Sequence, residues 1–378
     1  MMKETKKEIG VLSKKGFILL RITGLTFLAI VSFCFLFLGA IRLVYAPILR
    51  ASNRITAPGI DLMETVEIGG VKQVLYFRGE DIENPVILYL HGGPGSPYIP
   101  SIHGFQYDLE KDFTFVQWDQ RNTGKTFRLN DPDYVLETLS LERAIEDAYE
   151  ITRYIKQKLN KDKIVIIGHS WGSVLGTALV QKYPQEYSAY IGIGQVINMR
   201  ENERVGYQAV LDAAREAGNK NDISALEALA PYPPPIPYSE SFIDMIIKVR
   251  GIQGKYGLAS VFDLNILFLM FTSPYYSLGE IMIPLNSVKK LQYQEPLMCF
   301  LFDEYDIHDF GVTYDIPVFY IMGENDYNTP YPLAKEFFDE ILAPKRIFFT
   351  IHEAGHEPMM DNKAEFIRVM VGEIRPLL

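Results

Sequence analysis

Residues Lys163–Gly172, which read KIVIIGHSWG, decide the fold prediction. Ile164–Ile167 show no alternation of polar and apolar residues, which is typical of a strand buried on both faces of a parallel sheet. The run stops at the pattern G-x-S-x-G, whose two glycines let a strand and the following helix approach closely. Ser170 would then sit on a strained turn with its hydroxyl above the sheet. The stretch predicts a nucleophilic serine, with a chance match to a short pattern as the alternative.

Further buried strands alternate with helices along the chain, which indicates a mostly parallel central sheet flanked by helices. The predicted strands are Asn84–Leu90, Phe113–Trp118, Tyr187–Gly194, Ile316–Met322 and Arg346–Ile351. From about Val196 to Phe310 the alternation gives way to helical patterns broken by prolines and rich in aromatic residues. We interpret this stretch as an inserted, mainly helical cap, whose aromatic side chains either line a small-molecule pocket or form ordinary cap core.

A hydrophobic segment precedes this domain. Residues 22–41 carry no charge and are long enough to cross a hydrocarbon core of about 30 Å as a helix. Basic residues are denser before the segment than after it, which predicts a cytoplasmic amino terminus and an extracytoplasmic catalytic domain. A cleaved signal peptide is the alternative, but its best cleavage site, ending at Ala46, is followed by Pro47. We expect a single-pass protein of the cell membrane that contacts lipid through this helix.

The patterns divide the chain into a basic tail (1–21), a transmembrane anchor (22–45), a linker (46–60), a first part of the core (61–195), the cap (196–310) and a second part of the core (311–378). Charge separates the tail from the rest. Residues 1–54 carry nine basic and two acidic side chains, or +7, so the remainder of this −10 chain carries −17. An acidic body argues against binding to nucleic acid.

A serine nucleophile needs a base within hydrogen-bond reach and a third group to orient that base. Acids and histidines follow two of the predicted strands. Glu324 and Asp326 come after Ile316–Met322, and His352 and His356 come after Arg346–Ile351. The carboxyl ends of these strands share the sheet edge that carries the serine. We prefer His356, because Gly355 lets its loop turn back toward the serine, while the two acids remain alternatives.

The oxyanion of a tetrahedral intermediate needs two hydrogen-bond donors. The backbone N–H of Trp171, directly after the nucleophile, is one candidate. The other comes from the loop His91–Gly95, where Gly93 is preferred and Gly92 is next, since a residue without Cβ lets the backbone approach the substrate. The histidines are scattered and no phosphate-binding glycine pattern occurs, so we expect no metal and no cofactor.

Several motifs together resemble the proline iminopeptidase, or prolyl aminopeptidase, family of α/β-hydrolases. They are HGGPG at His91–Gly95, DQR at Asp119–Arg121, GHSWG at Gly168–Gly172, the G-x-x-D-x-x-x-P of Gly323, Asp326 and Pro330, and GH at Gly355–His356. The resemblance covers about Gly59–Gly194 and Ile316 to the end, and implies the α/β-hydrolase fold. It implies Ser170, Asp326 and His356 as catalytic triad and Gly93 with Trp171 as oxyanion hole.

The sequence departs from that family in three places. Asn122 stands where the family usually has glycine after DQR, the cap does not align, and familiar members lack a membrane anchor. Acids of the family's cap hold the free amino terminus of the substrate, because an ammonium that leaves water needs a carboxylate partner. Glu201 and Glu203 are the candidates for this role here, with Asp303 and Glu304 behind them, and a plain surface acid is the alternative for each.

These observations predict a membrane-anchored serine hydrolase that acts through an acyl-enzyme on a small peptide, most often releasing amino-terminal proline. An esterase, lipase-like or lactone-cleaving enzyme that takes small apolar acyl substrates is the first alternative. A non-catalytic surface binding protein is the second. The sequence leaves the oligomeric state open.

Overall fold

The computed structural model describes residue 26 and residues 37–259, 264–285 and 287–378, with side chains for all of these except 283–285 and 287–291. Within them, eight strands form one sheet in the order β1-β2-β4-β3-β5-β6-β7-β8. The strands are β1 (Ile60–Ile68), β2 (Val71–Gly79), β3 (Val86–Leu90), β4 (Thr114–Asp119), β5 (Ile164–His169), β6 (Tyr187–Ile193), β7 (Val318–Gly323) and β8 (Arg346–Ile351).

The first two strands form an antiparallel hairpin that turns at Gly69 and Gly70, both in the left-handed region with φ of 54° and 75°. β2 also pairs antiparallel with β4, and every later pairing in the sheet is parallel. The predicted α/β-hydrolase architecture, with a mostly parallel sheet, is therefore confirmed. All parallel strands end at the same edge, and that edge carries the predicted site residues.

Helices cover both faces of the sheet. One face packs on α4 (Leu141–Leu159) and α5 (Trp171–Lys182), and the other on the carboxyl-terminal helices. Neighbouring residues of β5 show this division. Ile166 belongs to the hydrophobic cluster that includes α4 and α5, Ile167 belongs to the cluster that includes the carboxyl-terminal helices, and both are almost fully buried. Burial on both sides explains why these strands read as unbroken apolar runs.

The remaining helices of the core lie between the strands and at the end of the chain. They are α2 (Gly124–Leu129), α3 (Pro132–Glu137), α12 (Tyr331–Glu340), α13 (Pro358–Asp361), α14 (Lys363–Ile367) and a π-helical segment at Arg368–Ile374. The helix that begins at Lys363 thus continues to Ile374, and its second half widens into π geometry.

The segment between β6 and β7 is helical, as predicted for the cap. Its helices are α6 (Met199–Glu216), α7 (Lys220–Glu227), α8 (Glu240–Lys255), α9 (Leu264–Thr272), α10 (Leu278–Leu285) and α11 (Ser287–Asp303), followed by a short 3₁₀ helix at Ile307–Phe310. The prolines at 231 and 233–235 fall between α7 and α8, where a residue without a backbone N–H interrupts no helix. The predicted domain boundaries stay predictions.

The N-terminal part of the fold prediction is wrong. Within the described residues, no helix combines the length and apolar composition that crossing a bilayer requires. Of the predicted span at 22–45, residues 22–25 and 27–36 lie outside the described residues, and 37–45 belong to a helix, α1, that is described over 37–52.

Contacts with the folded domain give the physical reason for this correction. The guanidinium of Arg42 donates hydrogen bonds to the backbone oxygens of Phe271 and Tyr276, and the ring of Tyr45 lies 6.4 Å from that of Phe268. The described end of the supposed span, residues 37–45, therefore contacts the cap through Arg42 and Tyr45. The predicted lipid contact is not supported, and the predicted orientation of the catalytic domain, which depended on the span, stays a prediction.

Candidate active site

Ser170 lies between β5 and α5 on a turn that only a glycine-rich sequence can form. Its backbone is strained, with φ 53° and ψ −121°. A Cβ on Gly172 would lie 1.9 Å from the carbonyl oxygen of Leu90, and one on Gly168 would lie 2.4 Å from that of Gly172. Both glycines are thus required by close packing of the helix on the strands, as the sequence pattern predicted.

His356 and Asp326 meet at the carboxyl ends of β8 and β7. The Nδ1 atom of His356 lies 2.9 Å from Oδ2 of Asp326. The other carboxylate oxygen accepts backbone N–H groups of Asn328 and Thr329 at 2.9 and 3.0 Å, and the hydroxyl of Thr329 donates to Oδ2 at 2.7 Å. The carboxylate is held from several directions at once, so it fixes the orientation of the imidazole ring.

The electrostatics of Asp326 favour its ionised form. Burial by itself would raise the pKa of this carboxyl, but the charge of His356 and the hydrogen bonds from His356 and Thr329 outweigh burial and bring the pKa below its usual value. Asp326 therefore stays negative at neutral pH and can stabilise a protonated His356.

The alternative acid and the alternative histidine pair with each other away from this arrangement. His352 Nδ1 lies 2.9 Å from Oε2 of Glu324, and the side chains are 67% and 37% exposed. Asp326 and His356, by contrast, are buried, with side-chain exposures of 0% and 11%. The structure thus separates the two acid–histidine pairs that the sequence had left as rivals.

A cavity of about 180 Å³ brings the predicted groups together. Ser170, His356, Gly93 and Trp171 all contribute to its wall. The rest of the described wall combines four polar residues with six apolar ones: Glu203, Arg250, Asn328 and Thr329, and then Val196, Met199, Ile246, Met298, Leu301 and Phe302. The small volume and the apolar residues together suit a compact nonpolar group.

The loop after β3 reaches the serine from the neighbouring strand. Gly93 has φ 115°, a backbone conformation that residues with a side chain rarely adopt. A Cβ on Gly92 would lie 3.0 Å from the Cβ of Ser170. The loop and the amino terminus of α5 therefore both lie beside Ser170, and Gly93 and Trp171 border the same cavity as the serine.

A second histidine, His169, is hydrogen-bonded to the backbone of His356. The Nε2 atom of His169 donates to the carbonyl oxygen of His356 at 2.9 Å. Burial, and then the proximity of His356, lower the pKa of His169 to about 3, so its ring stays neutral. His169 is a fixed neutral donor that holds the loop of His356, a role that the sequence did not suggest.

The structure separates the candidate acids of the cap. Glu201 is exposed and pairs with Arg204 at 2.8 Å, whereas Glu203 is 1% exposed and borders the cavity. Glu201, Asp303 and Glu304 do not belong to the described wall of the cavity. Glu203 already accepts hydrogen bonds from the guanidinium of Arg250 and the hydroxyl of Tyr232.

Sequence reasoning missed Arg250 and Tyr232, because neither stands in a motif and each comes from a cap element distant in the chain. No group of three or more His, Cys, Asp or Glu side chains in the described parts of the chain is arranged to hold a metal ion.

Comparison with known proteins gives this site a context. Residues 85–231 match the family described as alpha/beta hydrolase fold. YbaC of Bacillus subtilis, named a probable aminopeptidase, is 27% identical over 313 residues, which cover 82% of this chain and 95% of that protein. The proline iminopeptidase of Heyndrickxia coagulans is 38% identical over 108 residues, covering 28% of this chain and 33% of that protein.

The chain has the α/β-hydrolase fold and resembles the proline iminopeptidases.

The fold of this hydrolase is also seen in solved structures. A proline iminopeptidase-related protein of Thermus thermophilus superimposes with a TM-score of 0.52 at 19% identity, covering 84% of this chain and all of that one. The family resemblance drawn from the motifs is confirmed by the aminopeptidase and proline iminopeptidase relatives in sequence.

The departure at Asn122 also has an explanation in the hydrolase structure. Asn122 has φ 53°, in the left-handed region that glycine prefers and asparagine tolerates better than most residues. The backbone at Asn122 is thus in a conformation that glycine also adopts readily.

Proposed function

We propose that this hydrolase is a serine aminopeptidase that removes the amino-terminal residue, above all proline, from short peptides through an acyl-enzyme on Ser170. The observation that carries the proposal is the shared cavity of Ser170 and His356, with Asp326 bonded to the far side of the imidazole. The names of the relatives, an aminopeptidase and a proline iminopeptidase, support the peptide substrate.

In the first half-reaction, the Oγ atom of Ser170 attacks the scissile carbonyl carbon while His356 accepts the hydroxyl proton. The carbonyl oxygen becomes an oxyanion that accepts hydrogen bonds from the N–H groups of Trp171 and Gly93. His356 then gives its proton to the departing amine, and the C–N bond breaks. A water molecule, deprotonated by His356, attacks the acyl-enzyme in the second half-reaction and frees both the amino acid and the serine.

The cavity suits a compact first residue. The apolar residues of its wall suit the pyrrolidine ring of proline, and the size of the cavity leaves little room for a long side chain. We assign the substrate's ammonium to Glu203, because this acid borders the cavity. A carboxylate offers about four acceptor positions, so bonds to Arg250 and Tyr232 leave positions for a third donor.

An esterase that takes small acyl groups is the second candidate. The ion pair between Glu203 and Arg250 favours an esterase, because the guanidinium offsets the negative charge that would attract an ammonium. An ester substrate with an apolar acyl group needs no such attraction.

The test compares proline 4-nitroanilide with a 4-nitrophenyl ester of a short acid, using the purified protein and its Ser170→Ala variant, together with labelling by a fluorophosphonate probe. We expect amide turnover and labelling in the wild type and neither in the variant. Rapid ester cleavage without amide cleavage would replace the peptidase by the esterase. Absence of labelling and of both activities in the wild type would leave a non-catalytic binding protein.

A further inference from the structure

Gln120 lies beneath the candidate active site, in the loop between β4 and α2, and is 6% exposed. Its Nε2 atom donates to the carbonyl oxygen of His91 at 3.3 Å, and its Oε1 atom accepts the indole N–H of Trp171 at 3.2 Å. One carboxamide therefore joins the loop that contains Gly93 to the helix that begins at Trp171. These are the two elements whose backbone N–H groups flank the serine.

The contact with the glycine loop is reinforced through the ring of His91. The backbone N–H of Gln120 donates to Nε2 of His91 at 3.4 Å, which requires a lone pair on that nitrogen. The proton is then on Nδ1, which lies 2.9 Å from the carbonyl oxygen of Gly92 and donates to it. Gln120 and His91 thus determine each other's hydrogen bonding, and the start of the glycine loop is fixed from two directions.

The carboxamide is the group that this position needs. Its two ends are a donor and an acceptor, and each finds the opposite partner. A glutamate would keep the bond from Trp171 but would place a carboxylate oxygen against the carbonyl of His91. A methionine would fill a similar volume but make neither bond.

We propose that Gln120 is a positioning residue that sets the distance between the two oxyanion donors, the N–H groups of Gly93 and Trp171. The described wall of the cavity does not include Gln120, so it acts through these neighbours rather than on substrate. The inference rests on the proposed function, since it needs an oxyanion to form above Ser170. Donors displaced by a fraction of an ångström stabilise the transition state less while leaving substrate binding nearly unchanged.

Gln73 provides a matched control, because it is a second buried carboxamide with a tryptophan partner. It accepts the indole N–H of Trp118 at 2.7 Å and donates to Asp147 at 2.8 Å. Neither Gln73 nor these two partners belong to the described wall of the cavity. Gln73 also donates to the carbonyl oxygen of Ile68 at 3.3 Å. Substituting either glutamine by methionine removes at least one donor and one acceptor bond from the interior, so both variants should lose stability.

The experiment measures kcat and KM for a short 4-nitrophenyl ester, the rate of fluorophosphonate labelling, and Tm, in wild type, Gln120→Met, Gln120→Glu and Gln73→Met. Loss of one oxyanion donor typically costs about 10² to 10³ in kcat, so its displacement should cost roughly 10- to 100-fold. We expect Gln120→Met to lower kcat and the labelling rate by that amount with KM within about threefold. Gln120→Glu should lose less, and Gln73→Met should lower Tm with kcat kept.

Each outcome decides one question. Equal kcat values in Gln120→Met and Gln73→Met would overturn the positioning role, and so would a loss confined to KM. If Gln120→Met does not fold, the kcat of Gln120→Glu is compared with that of Gln73→Met instead, and equal values again overturn the positioning role. Gln120→Glu keeps the indole bond and removes only the donor to His91. A wild-type protein that neither turns over ester nor reacts with the probe would overturn the proposed function, and this inference with it.

Discussion

At the scale of single residues, the chain contains competing acids and histidines whose sequence contexts are alike. Glu324 and Asp326 stand two positions apart, and His352 and His356 four apart. Burial separates them, since Asp326 and His356 are buried at the site while Glu324 and His352 form an exposed pair. An exposed pair of this kind contributes little to stability because water screens it.

The first prediction uses this contrast. His356→Ala should lower kcat by roughly 10⁴-fold or more, because the base that activates Ser170 is lost. His352→Ala is the matched control and should keep kcat within about twofold, with Tm nearly unchanged. Steady-state kinetics on the better of the two nitrophenyl or nitroanilide substrates measures both. Equal losses in the two variants would contradict the assignment of the base.

At the scale of elements, the turn between β5 and α5 works because three parts of the chain come unusually close. The start of α5 touches the end of β3 through Gly172, and the end of β5 through Gly168. This close packing also holds the amino terminus of α5 next to Ser170. Both the stability of this turn and its proposed function therefore depend on the absence of a side chain at Gly168 and Gly172.

The second prediction concerns these glycines. Gly172→Ala should prevent folding or lower Tm severely, because the new Cβ would overlap the backbone of Leu90. Gly251→Ala is the control: it lies inside α8, and apart from the chain neighbours and the backbone of that helix, no described heavy atom comes within 4 Å of the added Cβ. That variant should gain about 0.5–1 kcal/mol in the free energy of unfolding, measured by urea denaturation. A stable, active Gly172→Ala protein would show that the elbow tolerates a side chain.

At the scale of the whole molecule, a buried ionic cluster joins the N-terminal segment to the sheet. Arg78 of β2 bonds Glu110 at 2.8 Å and Asp61 of β1 at 2.9 Å, and its guanidinium lies 4.6 Å from the ring centre of Tyr107. It also donates to the backbone oxygen of Asn53, just after α1. Burial raises the pKa of Glu110, although the charge of Arg78 and bonds from Gln106 and Arg78 oppose the rise.

The third prediction follows from this cluster. Arg78→Met should lower the free energy of unfolding at pH 8 by about 3–5 kcal/mol, because it leaves the buried Glu110 carboxylate without its counter-ion. The pKa of Glu110 in the folded variant should rise further above its unfolded value. The folded state then binds the proton more readily, so stability is highest below the unfolded pKa and falls as pH rises through the folded pKa.

The deficit of Arg78→Met relative to wild type should accordingly shrink between pH 8 and pH 5, as measured by urea denaturation at both values. Arg204→Met is the control, because its pair with Glu201 is exposed on both sides. It should change stability by less than about 1 kcal/mol at either pH. A deficit in Arg78→Met that does not depend on pH would mean that lost packing, rather than the unpaired Glu110, is responsible.

The sequence by itself determined the parts of this protein that depend on local physics. Unbroken apolar runs predicted the strands of a doubly covered sheet, and G-x-S-x-G predicted the turn at Ser170, because only glycine permits such close packing. The order of Asp326 and His356 after their strands placed them at one sheet edge. Hydrophobicity alone misled in the predicted span, because it does not reveal that a described residue such as Arg42 bonds to the cap.

Only the tertiary structure decided what depends on contacts between distant segments. It paired His352 with Glu324, brought Glu203 together with Arg250 and Tyr232, and set Gln120 between His91 and Trp171. None of these contacts leaves a pattern along the chain, because each joins side chains from different elements. Their partners are fixed by how the sheet, loops and cap pack, which spacing in one sequence does not encode.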